Sequence, residues 1–207
     1  KDLKNLSKIL WKPGTLLAPV PAVMVSCGTM EKPNILTIAW TGIVNTVPPM
    51  TYISVRPSRY SYEIIKKSKE FVINLTTKEL CRAADICGVK TGENTDKLKE
   101  AKLTVEPSQK LSAPLITESP LSLECKVVEI KHLGSHDMFL AEIVAIDVDE
   151  KFVDSKGKLN LHKCGLTAYA HGEYFEIGDK IGDFGYSVRK KPIKQPHRKP
   201  KKIINKK

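Results

Sequence analysis

"LSLECKVVEIKHLGSHDMFLAEIVAIDVD" (residues 121–149) decides the architecture of this chain. Two runs alternate apolar and polar residues with the period of a β-strand, and Gly134-Ser135 interrupts them with a turn. The stretch reads as one long antiparallel hairpin. A parallel α/β sheet needs a crossover, ordinarily a helix, after nearly every strand, and a hairpin of this length argues against it. Working outward, "PVPAVMVSCG" (19–28) and "NILTIAWTG" (34–42) read as strands joined by the turn-like "TMEKP", after a short polar lead. "MTYISVR" (50–56) is a further strand, preceded by Pro48-Pro49, which a central strand does not accommodate. "EFVINL" (70–75) is another. Residues 58–69 carry Tyr60, Ile64 and Ile65 at helical spacing. Thr76 followed by Glu79 is a capping-box signature for a helix running to about Cys87, and a short helical piece spans Asp96–Ala101. The expected fold is mainly β with peripheral helices (α+β), a closed or partly closed antiparallel barrel. No GxGxxG or Walker-type loop is present, which argues against Rossmann and P-loop nucleotide sites.

The chain has 207 residues, 41% apolar and 28% charged, enough for one domain with a proper core. Its formal net charge of +11 suggests a nucleic-acid binder until the distribution is read. "RKKPIKQPHRKPKKIINKK" (189–207) holds 10 of the 34 Lys/Arg and no Asp/Glu, which leaves 24 basic against 23 acidic residues over 1–188. The division is therefore a nearly neutral domain, 1–188, and a basic tail, 189–207. The tail reads as a solvated, disordered end, with prolines at 192, 196 and 200 weighing against a long helix. Five cysteines in irregular spacing, with no CxxC pair, fit reduced thiols in a cytoplasmic protein better than disulfides or zinc. No apolar run approaches a membrane span, and no secretory signal is visible.

"TYISVRPSRYSYEII" (51–65) places Arg56, Ser58, Arg59 and Ser61 where a strand hands over to a helix. One reading is a plain turn, with Pro57 fixing φ and Ser58 capping the helix. The other is an anion site: a helix start offers unpaired N–H groups and positive potential, and arginine adds a planar fork suited to phosphate. Position alone leaves both readings open.

Together with "AWTGIVNTVPP" (39–49), "RPSRYSYE" (56–63), "GSHDMFLAEI" (134–143) and "HGEYFEIG" (171–178), this corner resembles the flavoredoxin branch of the flavin-reductase-like family, over about residues 10–190. The resemblance implies an FMN-binding split β-barrel. It also implies that Arg56, Ser58, Arg59, Tyr60 and Ser61 form the phosphate cradle. The "AWTGIVNT" segment, with Trp40, Thr41, Gly42, Ile43, Asn45 and Thr46, would line the isoalloxazine ring and ribityl chain. Asn34, Lys97 and His136 would face the flavin or its phosphate. Thr46 stands where many relatives carry Ser, keeping the hydroxyl, and the basic tail matches nothing in the family pattern. By pattern alone Trp40 reads as a core residue, His136 as an exposed turn residue and Lys97 as a helical surface charge. Which of Arg56 and Arg59 meets the phosphate stays open.

The implied function is redox. Bound FMN would take electrons from NAD(P)H or a protein donor and pass them to free flavin, ferric complexes or another protein. The flavin carries the chemistry, so no protein nucleophile, acid–base pair or metal is expected. A homodimer is expected as well, since a half-open barrel has apolar surface to cover. The alternative from another class is a non-enzymatic polyanion or nucleic-acid binder acting through the basic tail, and a neutral body without a basic-aromatic face weighs against it.

Overall fold

The computed structural model describes residues 7–189. Its frame is a seven-stranded antiparallel sheet. In chain order the strands are β1 (Val23–Gly28), β2 (Pro33–Ile38), β3 (Thr41–Thr46), β4 (Pro49–Val55), β5 (Glu70–Asn74), and, after two short strands β6 (Val105–Glu106) and β7 (Leu115–Ile116), the long pair β8 (Leu121–His132) and β9 (Asp137–Val148). A separate hairpin, β10 (Thr167–Ala170) and β11 (Glu173–Glu176), follows. Helices α1 (Tyr60–Ser68), α2 (Cys81–Val89) and α3 (Lys97–Ala101) complete the domain. The predicted hairpin is β8–β9, twelve residues in each arm. Its register slips at Glu124/Cys125 and at Val127/Glu129. Bulges of this kind bend and twist a long ribbon, which lets it wrap a core instead of projecting as a flat flap.

Strand order explains the split barrel. The sheet runs β2-β1-β5-β8-β9-β4-β3, so its two edges, β2 and β3, are consecutive in the chain. Ala39 and Trp40 alone separate them, which forces the edges of the twisted sheet together at that corner. There the Trp40 carbonyl accepts from the Ser54 amide at 2.9 Å. Alternate residues of β1, β2, β4, β5 and β9 then face one interior: Val23, Val25 and Cys27, Leu36 and Ile38, Ile53 and Val55, Phe71 and Ile73, Phe139 and Ala141, joined by Tyr62 and Ile65 of α1. Met24 and Ile35, one residue out of phase, pack on Leu80, Ala83, Ala84 and Cys87 of α2. Both faces of β1 and β2 are therefore covered, and α2 and α3 are held beside the corner.

Several local expectations change. "NILTIAWTG" is not one strand: it turns at Ala39-Trp40, and "TGIVNT" forms the separate edge strand β3. Pro49 does belong to a strand, but as the first residue of β4 opposite edge strand β3, where its missing N–H costs nothing. The capping box on Thr76 is not made. Residues 77–80 form a bridge and a turn in which Thr77 Oγ1 accepts from the Leu80 amide at 3.4 Å, and α2 starts at Cys81. The lead before β1 is not polar in character, since Leu10, Trp11 and Leu17 stand exposed. Among the described residues no helix is long and apolar enough to cross a membrane. The basic tail, Arg189 aside, lies outside the described residues.

Candidate functional site

The strand-to-helix corner opens on a cleft. At the end of β4 the chain turns through Arg56 and Ser58 into α1, whose N-cap residue is Arg59. No side chain caps this helix, so Ser58 does not play the capping part that the plain-turn reading gives it. The Tyr62 amide donates to the Arg59 carbonyl at 2.9 Å, which leaves the Tyr60 and Ser61 N–H groups for another acceptor. Across the cleft, α2 lies so close to β2 that a Cβ on Gly88 would meet the Thr37 Cβ at 3.3 Å. The Thr37 hydroxyl donates to the Ala84 carbonyl and ties the two elements. The loop after α2 is held as tightly. A Cβ on Gly92 would lie 2.0 Å from Asn34 Oδ1, and the other side of that amide donates to Ser61 Oγ at 2.6 Å.

Two adjoining cavities result. The larger, about 320 Å³, is lined by Leu36, Ile38, Trp40, Arg56, Arg59 and His136 among others. The smaller, about 80 Å³, is lined by Ser58, Arg59, Tyr60, Ser61, Thr91 and Lys97 among others. Leu36, Thr37, Arg59 and Gly88 border both, so the two are parts of one cleft and Arg59 stands at their junction.

The electrostatics are cationic. Among the described residues neither Arg56 nor Arg59 forms an ion pair with a carboxylate. Lys97 is 6% exposed, which corrects its reading as a surface charge. Its Nζ donates to the Ile35 carbonyl at 2.7 Å and the Cys87 carbonyl at 2.9 Å. An ammonium has three donors, so one remains. Burial lowers the Lys97 pKa most, and the Arg59 charge lowers it further. His136 is held below its ordinary value by burial first, then by Arg56 and Arg59. Burial pushes the nearby Cys27 thiol up to about 12, with Ser61, Asn34 and Lys97 opposing, so it stays protonated and is no nucleophile. The arrangement has the chemistry to hold an anion, at the end of a partly apolar slot.

The structure thus brings Arg56, Ser58, Arg59, Tyr60, Ser61, Lys97, His136 and Trp40 to one cleft, with Asn34 bonded to Ser61 at its edge. Trp40 is 37% exposed and not a core residue. The rest of "TGIVNT" does not border these cavities. Thr41 is buried and donates to the Tyr52 carbonyl at 2.6 Å, and a Cβ on Gly42 would meet the Tyr52 ring at 3.4 Å. Ile43, Asn45 and Thr46 lie exposed along edge strand β3, Asn45 donating to the Pro48 carbonyl at 2.9 Å. The reading from sequence omitted Thr37, Gly88, Thr91, Tyr169 and Tyr174, all of which line the cleft. Two glycines in "CGVKTGEN" (87–94) were the available signal for the α2 side, since a glycine directly after an apolar helical run marks a close approach.

Comparison with known proteins agrees with this architecture. A family model described as "Flavin reductase like domain" matches residues 16–178. The flavoredoxin of Desulfovibrio vulgaris (Miyazaki F) superimposes with a TM-score of 0.82 at 28% identity, covering 88% of this chain and 100% of that one. An uncharacterized protein of Pyrococcus abyssi (strain GE5 / Orsay) is 31% identical over 166 residues, 80% of this chain and 95% of that protein. The FMN reductase (NADH) RutF of Acinetobacter baylyi (strain ATCC 33305 / BD413 / ADP1) is 25% identical over 124 residues, 60% of this chain and 63% of that protein.

Proposed function

The chain belongs to the flavin reductase-like family, and from that premise we propose that it is an FMN-binding oxidoreductase passing electrons from NAD(P)H or a protein donor to an acceptor. One observation carries the reading: Arg59, which has no carboxylate partner among the described residues, and an uncapped helix start share a pocket with the buried Lys97, beside a larger slot that Arg56 also borders. That donor set suits a terminal phosphate dianion, as in FMN, and helix start, arginine and hydroxyls act on it together.

In this proposal Arg59, Ser58, Ser61, the first N–H groups of α1 and Lys97 hold the phosphate. Leu36, Ile38, Val55 and Trp40 supply apolar wall, and Arg56 and His136 stand over the slot. FMN, when bound, supplies the hydride and single-electron chemistry. His136, held largely neutral, offers a hydrogen-bonding group without adding a full charge beside the two arginines. A homodimer belongs to the proposal, because β3 is an exposed edge strand with Ile43 67% and Val44 49% exposed. A second copy covering that strand would bring "TGIVNT" against a neighbour. A cytoplasmic location is also proposed, on five free thiols.

The test is direct. Purified protein reconstituted with a flavin mixture is denatured and the released flavin is separated by chromatography, with FMN expected in excess over FAD. Anaerobic titration with NADH and with NADPH then reads bleaching of the bound flavin. Light scattering of the loaded protein should give twice the chain mass. No retained flavin would overturn the reading.

A further inference from the structure

His136 and the start of α1 face one cleft from different elements, and one buried carboxylate connects them. Asp137 opens β9, where its backbone lies opposite both His132 of β8 and Val55 of β4. Cavity residues therefore adjoin this point on two strands, His136 just before Asp137 and Arg56 just after Val55. The Asp137 side chain is 4% exposed as a residue, and its Oδ2 accepts from the Tyr62 hydroxyl and from His132 Nδ1, the latter at 2.8 Å. Tyr62 is a fixed anchor. It is buried within α1, and its ring meets Phe139 edge-on at 5.4 Å between centroids. The turn beyond is braced internally: the Leu133 amide donates to the His136 carbonyl at 3.1 Å, and Ser135 Oγ lies 2.9 Å from His136 Nδ1. Gly134 takes φ +101°, which closes the turn without the penalty a side chain would bring. A turn so braced moves as a unit, and Asp137 is where it is tied down.

We propose that Asp137 is a positioning residue for the cleft: its carboxylate ties the turn that carries His136 to the helix whose start forms the anion pocket. The proposal rests on the flavin reading only for the ligand used to probe it. The charged and titratable groups around the latch are Arg56 and Arg59 facing His136, and His132, Tyr62, Glu63 and Lys66 around Asp137. Two substitutions separate anchoring from charge. Tyr62→Phe keeps the ring and changes no charge, so it severs only the tie to α1. Asp137→Asn removes a negative charge, which by itself drives the His136 pKa lower, whereas release of the turn into water and away from the arginines drives it up.

The experiment is an NMR titration of the His136 ring in flavin-free protein, paired with fluorescence titration of FMN. In both variants the His136 midpoint should rise toward the ordinary value of about 6.5, and FMN affinity should fall severalfold while each protein still unfolds cooperatively. A midpoint unchanged or lowered in folded Tyr62→Phe would overturn the proposal. If Asp137→Asn fails to fold, Tyr62→Phe decides alone. Failure of the unmutated protein to bind FMN would sink the flavin reading instead, leaving the titration to judge the latch.

Discussion

Replacing Arg59 with alanine should weaken FMN far more than riboflavin, which has the same ring and ribityl chain but no phosphate. Arg59 borders both cavities, whereas Arg56 borders the larger one only, so Arg59 is the better placed of the two for the phosphate. Its own bonds in the protein are slight: it forms no side-chain cap on α1, and its guanidinium reaches the Gly88 carbonyl at 3.5 Å. Alanine therefore costs the fold little, and the loss should appear in binding. A charge-assisted hydrogen bond is worth about 1.5–3 kcal/mol, roughly tenfold to a hundredfold or somewhat more in affinity. Arg59 is exposed, so solvent screening puts the expected FMN loss near tenfold, shrinking as salt is raised. A second effect works the other way. Without the Arg59 charge, Lys97 holds its proton more firmly and keeps part of the attraction. Riboflavin affinity should change less than about threefold by this argument, since no charge-assisted bond to it is lost. Fluorescence titration of both ligands at two salt concentrations reads all of this. Equal losses for FMN and riboflavin would refute the assignment of Arg59 to a phosphate.

Three further outcomes are expected. Gly92→Ala should lower the thermal midpoint and weaken FMN, because its Cβ would fall 2.0 Å from Asn34 Oδ1 and push on the amide that holds Ser61; overpacking of this kind costs about 1–3 kcal/mol, read by denaturant unfolding. Asp147→Asn should stabilise the protein above about pH 6. The Asp147 carboxyl is pushed up to about 6 by burial first and then by the Glu124 charge, and its Oδ2 is buried without a partner; the folded state thus favours the protonated form, and stability falls as pH rises from the unfolded value near 3.9 to about 6. Urea unfolding of both proteins at about pH 5, inside that window, and at about pH 8, above it, should show the gain growing with pH. Truncation after Val188 should leave FMN affinity within about twofold in moderate salt, since every residue lining the cleft falls between Ala22 and Tyr174 and salt screens charges that make no direct contact with the ligand; a larger change by fluorescence titration would give the tail a part in binding.

What local sequence determined here is what local physics controls. The period-two alternation of 121–149 requires a hairpin, because only one face of each arm can be apolar, and the structure has it as β8–β9. The proline, serines and arginines of 56–61 mark a strand-to-helix corner through backbone preference and side-chain chemistry alone. Asp96 caps α3 by accepting from the Lys99 amide at 3.1 Å, a bond reaching only three residues along the chain. Tertiary structure decided the rest. Lys97 sits on a short polar helix whose pattern marks it as solvated, yet α3 packs where Nζ reaches a carbonyl of α2 and one of β2, the latter 62 residues away in sequence. Ala39 and Trp40 continue an apolar run with no breaker, and the chain turns there because the barrel's two edges must meet. For the same reason "TGIVNT" became an edge strand outside the cleft, while Thr37, Gly88 and Tyr169, distant in sequence, came to line it. Alternation and capping act within a few residues, so the chain carries them openly. Which faces meet depends on how the whole sheet curls to bury its apolar side, and no short stretch contains that information.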